Sequence, residues 1–223
     1  MRVRSELTTI AMLMAAPPTP FVPAERHGEL AFIVMLVHAG DPDAGQAAVA
    51  PYRDVAAPLG EMVAPMPYPA IYEFTKGGGQ RGSSVTRSLF LDTLDDTTID
   101  TMLRFTSSPS SPLAMTQIRI LGGAMSRVPA TATAFAHRDA GVMVALITPF
   151  AEAADAPAHV AWTDEYLAAL QPAATGVYAN FLSDEGEARV REAYPGVTYQ
   201  RLAQVKRRYD PDNLFRLNQN IRP

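Results

Sequence analysis

The sequence predicts an α+β fold in which helices cover one face of a mainly antiparallel β-sheet. Two observations support this prediction: strand patterns arrive both in pairs and separated by helical patterns, and several connections have the length of hairpins. A third is that 48% of the 223 residues are apolar, which is enough to bury a substantial core. The sequence contains no internal repeat.

The predicted strands follow from alternating or continuous apolar runs bounded by Gly, Pro, Asn and Asp. The first lies within residues 1–16, where Glu6 and the prolines after residue 16 fit a strand better than a secretory signal. The others are predicted at residues 30–38, 62–66, 85–91, 115–121, 133–137, 142–147 and 175–182.

The predicted helices begin at recognisable start signals. Asp41 and Pro42 suit an N-cap and a first turn, and an apolar face is expected to continue from Ala48 to Leu59. Further helices are expected at residues 71–74, 95–105, 158–170, 184–192 and 198–209. The last has the apolar stripe Leu202, Val205 and Tyr209 and is stopped by Pro211.

Composition excludes several classes of function. A net charge of −4 argues against nucleic acid as a main partner, because phosphate binding needs a concentrated basic surface. The absence of cysteine from the sequence excludes disulfides, thiolate zinc sites and a cysteine nucleophile on this chain. The four histidines lack metal-ligand spacing, so no metal is predicted. No apolar stretch approaches a membrane span, and we expect a cytoplasmic protein.

The glycine-rich segment at residues 77–82 matches neither phosphate-binding pattern. Lys76 precedes the glycines instead of following them, and the G-x-G-x-x-G pattern is not present. We interpret the segment as a mobile loop on the substrate side; the alternative is a disordered segment.

The C-terminal thirty residues carry the most specific pattern. After Pro211 come Leu214, Phe215 and Leu217, and then the adjacent amides Asn218, Gln219 and Asn220. Amides both donate and accept hydrogen bonds, so such a tail is costly to bury without a polar partner.

This tail, together with Tyr178-Ala179-Asn180-Phe181, resembles the C-terminal signature of the berberine-bridge-enzyme-like family of FAD-linked oxidases. The resemblance extends through Pro20-Phe21-Val22-Pro23, residues 120–124 and residues 132–138. It implies a substrate-binding domain at residues 1–175 and a C-terminal berberine-bridge-like segment at residues 176–223. It also implies that the family's FAD-binding domain has no counterpart in this chain.

The resemblance further implies site residues. Tyr178 would be catalytic and would help to remove a hydroxyl proton from the substrate, while Asn180, Asn218 and Gln219 would contact FAD. A strand over residues 175–182 would direct Tyr178 and Asn180 to the same side. A tyrosine acts as a base only beside a cation, and the sequence identifies none; the alternative is a sheet tyrosine whose hydroxyl is satisfied.

His137 and Arg138 are predicted to bind substrate, because a guanidinium pairs with carboxylates and an imidazole is able to reach a pocket. The alternative for His137 is a structural histidine on an apolar strand.

Three functional classes follow. The first is the substrate-binding part of an FAD-dependent oxidoreductase, bacterial and in secondary metabolism, which oxidises an alcohol, sugar or secondary metabolite. The second is a flavin-independent enzyme that performs a cyclisation or rearrangement in the same pocket. The third is a non-catalytic binding protein. All three classes are compatible with a small-molecule ligand. They are also compatible with a flavin-domain partner or a homo-oligomer, since the surface that a flavin domain covers in the family would be apolar.

Overall fold

The computed structural model describes residues 6–76 and 83–223. Its centre is a six-stranded, wholly antiparallel sheet with the strand order β2-β1-β4-β5-β3-β6. The strands are β1 (Leu7–Ala15), β2 (Leu30–His38), β3 (Ser83–Leu91), β4 (Met115–Ile120), β5 (Val142–Phe150) and β6 (Ala174–Gly176). The predicted fold class, an antiparallel sheet with helices on one face, is confirmed.

Within the described ranges, six α-helices accompany the sheet. They are α1 (Pro42–Arg53), α2 (Glu73–Lys76), α3 (Asp96–Thr106), α4 (Ala156–Leu170), α5 (Glu187–Ala193) and α6 (Val197–Tyr209). Asp41 caps α1 by accepting a hydrogen bond from the Ala44 amide at 3.0 Å, and Asp95 caps α3 through the Thr98 amide at 2.8 Å. The side-chain oxygens satisfy donors that have no partner within the helix.

One face of the sheet is covered by α3 and α4. The alternate residues Leu89, Leu91, Val144 and Leu146 of β3 and β5 point toward these helices and are at most 1% exposed. Polar groups on this face are paired: the Tyr166 hydroxyl of α4 lies 3.0 Å from Thr116 Oγ1 of β4. We call this the covered face.

We call the opposite side the open face. Loops and α5 pack on it near β3, toward one edge of the sheet. Phe90 and Met143 lie on the open face, because their strand neighbours point into the core of the covered face. Arg189 of α5 holds this covering in place by donating from Nη2 to the Ser88 carbonyl oxygen at 3.0 Å and from Nε to Glu185 at 3.2 Å.

Three predicted strands are wrong in whole or in part. Residues 62–66 form no strand and stay exposed, because the prolines at 65 and 67 cannot donate in a sheet ladder. Residues 133–137 form a loop in which the carbonyl oxygens of Phe135 and Ala136 accept hydrogen bonds from Arg138. Of residues 175–182, only the first two lie in β6, and Ala179–Phe181 is a turn of 3₁₀-helix. The predicted apolar face of α1 is also wrong beyond Arg53, where the helix ends and Val55 is 81% exposed.

Candidate functional site

A cavity of about 610 Å³ lies on the open face. Its floor is a row of cross-strand neighbours: Arg119 of β4 pairs in register with Met143 of β5, and Met143 pairs with Phe90 of β3. Its walls come from the β4–β5 loop, the segment after β6 and the end of α5; they include Leu121, Met125, Phe135, His137, Arg138, Val177, Tyr178, Asn180, Phe181, Ala193 and Tyr194. The cavity therefore contains four of the predicted site residues, Tyr178, Asn180, His137 and Arg138.

Tyr178 and Asn180 are brought together by a turn and not by a strand. Asn180 Nδ2 donates a hydrogen bond to Tyr178 Oη at 2.9 Å across the 3₁₀ turn. The Tyr178 ring packs against Phe135 and Phe181, with centroids 6.1 and 5.6 Å apart. The phenol oxygen is thus held by one donor and faces an aromatic enclosure.

Arg119 is the cation beside Tyr178, and it was not identified from the sequence. Burial lowers the pKa of the Arg119 guanidinium from its usual value, and the nearby Tyr178 phenol opposes this shift. Arg119 Nη2 donates to Gln117 Oε1 at 2.6 Å, and the guanidinium carbon lies 5.2 Å from the Phe181 ring centroid. The sequence did carry a signal: in a strand over residues 115–120, positions 117 and 119 share one side.

Tyr194 provides a second phenol in the cavity wall. Burial raises the pKa of Tyr194, and the nearby Tyr178 adds to that shift. We therefore expect Tyr194 to stay protonated at neutral pH and to act as a hydrogen-bond donor.

His137 lies in the loop and not on the predicted strand. Its ring lies 4.8 Å from the Phe90 centroid, and Nε2 lies 3.0 Å from the Glu192 carbonyl oxygen, to which it donates. Burial lowers the pKa of His137, although backbone hydrogen bonds at Glu192 and Ala193 oppose the shift. Near neutral pH the imidazole is uncharged and joins the β4–β5 loop to α5.

Arg138 braces the same loop. Nε donates to the Phe135 carbonyl oxygen at 3.1 Å, Nη1 to that of Met125 at 3.3 Å, and Nη2 to Thr133 Oγ1 at 2.7 Å. All three of its nitrogens therefore have acceptors within the loop, which fixes the shape of this wall. The role of Arg138 in substrate binding stays a prediction.

The predicted flavin contacts of the tail lie outside the cavity lining but adjoin its wall. Gln219 Nε2 donates to the carbonyl oxygens of Leu182 and Ser183 at 2.7 and 3.3 Å, directly after the turn that carries Tyr178. Asn218 is exposed and has a left-handed backbone with φ 58°. Asn220 Oδ1 is buried and has no hydrogen-bond donor among the described residues.

Residues 6–76 and 83–223 contain no group of three or more His, Cys, Asp or Glu side chains that could hold a metal ion. No helix within those ranges has the length and hydropathy to cross a membrane. The glycine-rich segment at residues 77–82 lies outside the described residues, so the predicted loop stays untested.

Comparison with known protein families gives one family match. Residues 177–222 match the family model described as berberine and berberine like. The matched segment begins next to Tyr178 and contains all of the predicted flavin contacts, so the sequence signature and the family model coincide.

Comparison with curated and solved proteins extends the similarity to the rest of the chain. An uncharacterized FAD-linked oxidoreductase of Bacillus subtilis, YgaK, is 30% identical over 176 residues, which are 78% of this chain and 39% of the relative. A variant of berberine bridge enzyme described as a reticuline dehydrogenase superposes with a TM-score of 0.78 at 16% identity, over 100% of this chain and 50% of that one. A glycopeptide hexose oxidase complexed with teicoplanin gives a TM-score of 0.76 at 23% identity, with coverage of 98% and 47%.

The chain thus spans half or less of the length of these proteins. The TM-scores of 0.78 and 0.76 to the solved structures establish the shared fold. These structural matches, the family match and the bacterial relative together confirm the resemblance predicted from the sequence.

Proposed function

Because this chain resembles the berberine-bridge-enzyme-like FAD-linked oxidases in sequence and fold, we propose that it is the substrate-binding part of an FAD-dependent oxidoreductase. The reaction is oxidation of an alcohol, sugar or secondary metabolite. The observation that carries the proposal is the Tyr178–Asn180 hydrogen bond in a cavity walled by aromatic rings and adjoining Arg119.

Tyr178 receives the proton of the substrate hydroxyl. The Asn180 amide donates to Tyr178 Oη, and a donor in this position favours an oxygen that carries negative charge. Arg119 adds a fixed positive charge, since a guanidinium stays protonated in proteins. Oxidation of the hydroxyl to a carbonyl releases one proton and one hydride; Tyr178 takes the proton, and FAD, when bound, accepts the hydride.

The polar groups of the tail fit a flavin ring. Asn220 Oδ1, which is buried without a donor among the described residues, and the exposed amide of Asn218 offer an acceptor and a donor two positions apart in sequence. Asn180, Asn218 and Gln219 are the residues that would hold the cofactor. Gln219 also fixes the tail to the segment after Tyr178, which couples the two sets of groups.

The tail surface supports a protein partner for this part. Leu214, Phe215 and Leu217 are 71%, 78% and 82% exposed, which is more apolar surface than isolated side chains explain. A flavin-binding domain or a second copy of the chain would cover them.

Two measurements test the proposal. First, a visible absorbance spectrum of the purified chain is recorded before and after FAD is added; bound flavin bands are expected, and a colourless protein that ignores FAD would contradict a flavin site formed by this chain. Second, flavin reduction by alcohol and sugar substrates is measured anaerobically for Tyr178→Phe.

We expect Tyr178→Phe to reduce the rate about 10²- to 10⁴-fold, because only the proton acceptor is removed. The matched control is Tyr68→Phe, which removes a hydroxyl from an exposed tyrosine outside the cavity lining. Equal rates in the two variants would exclude Tyr178 as the base.

A flavin-independent reaction is the second candidate. The observation that favours it is that described residues of this chain place Tyr178, Asn180 and Arg119 around one cavity of about 610 Å³. Substrate conversion without FAD in the wild-type chain would establish it.

A further inference from the structure

We propose that the cavity on the open face selects substrates that carry a carboxylate, and that Arg119 recognises this group. The inference rests on the proposed function for the reaction that follows binding, and it narrows the substrate to a hydroxyl-bearing acid. It comes from the charges that line the cavity and from the hydrogen bonds that each of them makes.

The charged side chains that line the cavity are all positive. Among the described residues that line it, two are arginines and none is Asp or Glu. The imidazole of His137 is uncharged near neutral pH, because its burial lowers its pKa. The chain as a whole has a net charge of −4, so this cationic cavity is a local feature and does not reflect the composition.

The two arginines of the cavity differ in their hydrogen bonds. Arg138 has an acceptor for each of its three nitrogens within the loop, so its hydrogen bonds stabilise the cavity wall. Among the described residues, Arg119 Nη2 donates one hydrogen bond, to Gln117, and Arg119 Nη1 is buried without an acceptor. A buried donor without an acceptor is costly, which points to a ligand that supplies one.

Other half-buried arginines show how this chain normally compensates such a charge. Arg87 Nε lies 2.8 Å from Asp164 Oδ1, and Arg189 pairs with Glu185 and Glu192. Within the described part of the chain, Arg119 has no carboxylate within ion-pair distance. A substrate carboxylate would give Arg119 the partner that the protein supplies to the other two.

The walls indicate the rest of the substrate. Phe90, Phe135 and Phe181 line the cavity together with the aliphatic side chains of Leu121 and Met143. Rings of this kind pack against a planar apolar group at centroid separations of about 4.5–7 Å. An aromatic 2-hydroxy acid combines the ring, the hydroxyl for Tyr178 and the carboxylate for Arg119.

The test compares mandelate with 1-phenylethane-1,2-diol. The diol has a hydroxymethyl group where mandelate has its carboxylate. Binding to the full chain is measured by isothermal titration calorimetry without FAD. We expect mandelate to bind at least about tenfold more tightly, and the preference to weaken as salt is raised.

Three variants assign the preference to one side chain. Arg119→Gln is expected to bind both probes equally, whereas Arg119→Lys keeps part of the preference because it keeps the charge. Arg104→Gln is the matched control, since it removes an exposed positive charge from α3 on the covered side of the sheet. Circular dichroism establishes that each variant is folded.

Equal binding of the two probes by the wild-type chain, binding of neither, or a preference that persists in Arg119→Gln would each overturn the proposal. The outcome is separate from that of the flavin experiments. A carboxylate preference in a chain that ignores FAD would contradict a flavin site formed by this chain and leave the ligand class standing.

Discussion

The two faces of the sheet are built from the same strands but differ in what their side chains contact. On the covered face, side chains of β3 and β5 are buried against α3 and α4, and the polar groups of Tyr166, Thr116, Thr148 and Thr163 are paired with one another. On the open face, the next residues along the same strands line a cavity in which a guanidinium nitrogen lacks an acceptor. The packed core thus lies on one face and the candidate binding groups lie on the other.

The difference follows from the period of the strand. Successive side chains point to opposite sides, so Val144 contributes to the core while Met143 and Ala145 face the opposite way. A strand can therefore keep its packing while its other face changes. This comparison predicts that neighbouring substitutions on one strand have unequal effects.

The largest effect is expected for truncation of the covered face. Leu146→Ala should lower the free energy of unfolding by about 2–5 kcal/mol, because Leu146 is 1% exposed and its loss leaves a cavity. Ile147→Ala, one residue further and on the open face, is the matched control and should cost clearly less, since Ile147 is only partly buried. Urea denaturation measures both, and equal losses would contradict the difference between the faces.

A smaller loss is expected where the open face meets β6. A Cβ atom added at Gly176 would lie 2.2 Å from His137 Cε1, so Gly176→Ala should displace the imidazole and lower the free energy of unfolding by about 1–3 kcal/mol. Gly186→Ala is a useful contrast, because an added Cβ there meets no atom within 4 Å, although its φ of 86° still costs some strain. A Gly176 variant as stable as wild type would show that the loop adapts freely.

The next effect concerns the buried phenol of the covered face. Tyr166→Phe should lower the free energy of unfolding by about 1–2 kcal/mol, because the hydroxyl of Thr116 loses its hydrogen-bond partner. Burial raises the pKa of Tyr166, so the folded chain holds its proton more tightly than the unfolded chain. This contribution is present below about pH 10 and is lost as the pH rises above it.

Urea denaturation at increasing alkaline pH checks this expectation. Wild type should lose stability more steeply than Tyr166→Phe above about pH 10. Parallel pH profiles for the two proteins would mean that the phenol ionises as easily in the fold as in water.

The smallest effect on stability is expected for His137, on the open face and at acidic pH. Burial lowers the pKa of His137, so the unfolded chain binds a proton before the folded chain does. Stability from the neutral imidazole is present above about pH 6.5 and is lost as the pH falls below it. In His137→Gln, the slope of stability against pH between about 6.5 and 5 should be shallower, as followed by urea denaturation; an unchanged slope would indicate that other groups control it.

Much of the fold could be predicted from local patterns. The N-caps Asp41 and Asp95, the apolar runs of β2 and β5 and the stop at Pro211 each depend on residues close in sequence. The errors lie where a segment looks like a strand but finds no sheet edge. Residues 133–137 are such a case, since Arg138 binds their carbonyl and hydroxyl groups and holds them as a loop.

The candidate site was predicted in part. Tyr178 and Asn180 were singled out by the resemblance, and their proximity was correct although the strand proposed to cause it was wrong. Arg119 was missed because its importance depends on its cross-strand neighbour Met143 and on the turn at residues 179–181. These relations join residues more than twenty positions apart, whereas strand alternation indicates only which side of β4 Arg119 lies on.

The sequence by itself determined the class of fold, the order of most elements and the C-terminal signature, because propensity, capping and strand alternation act over a few residues. The tertiary structure alone decided which cation lies beside Tyr178, which arginine has its donors satisfied and which face of the sheet holds the cavity. Those outcomes depend on strand register and on burial, and both are set by contacts between distant segments.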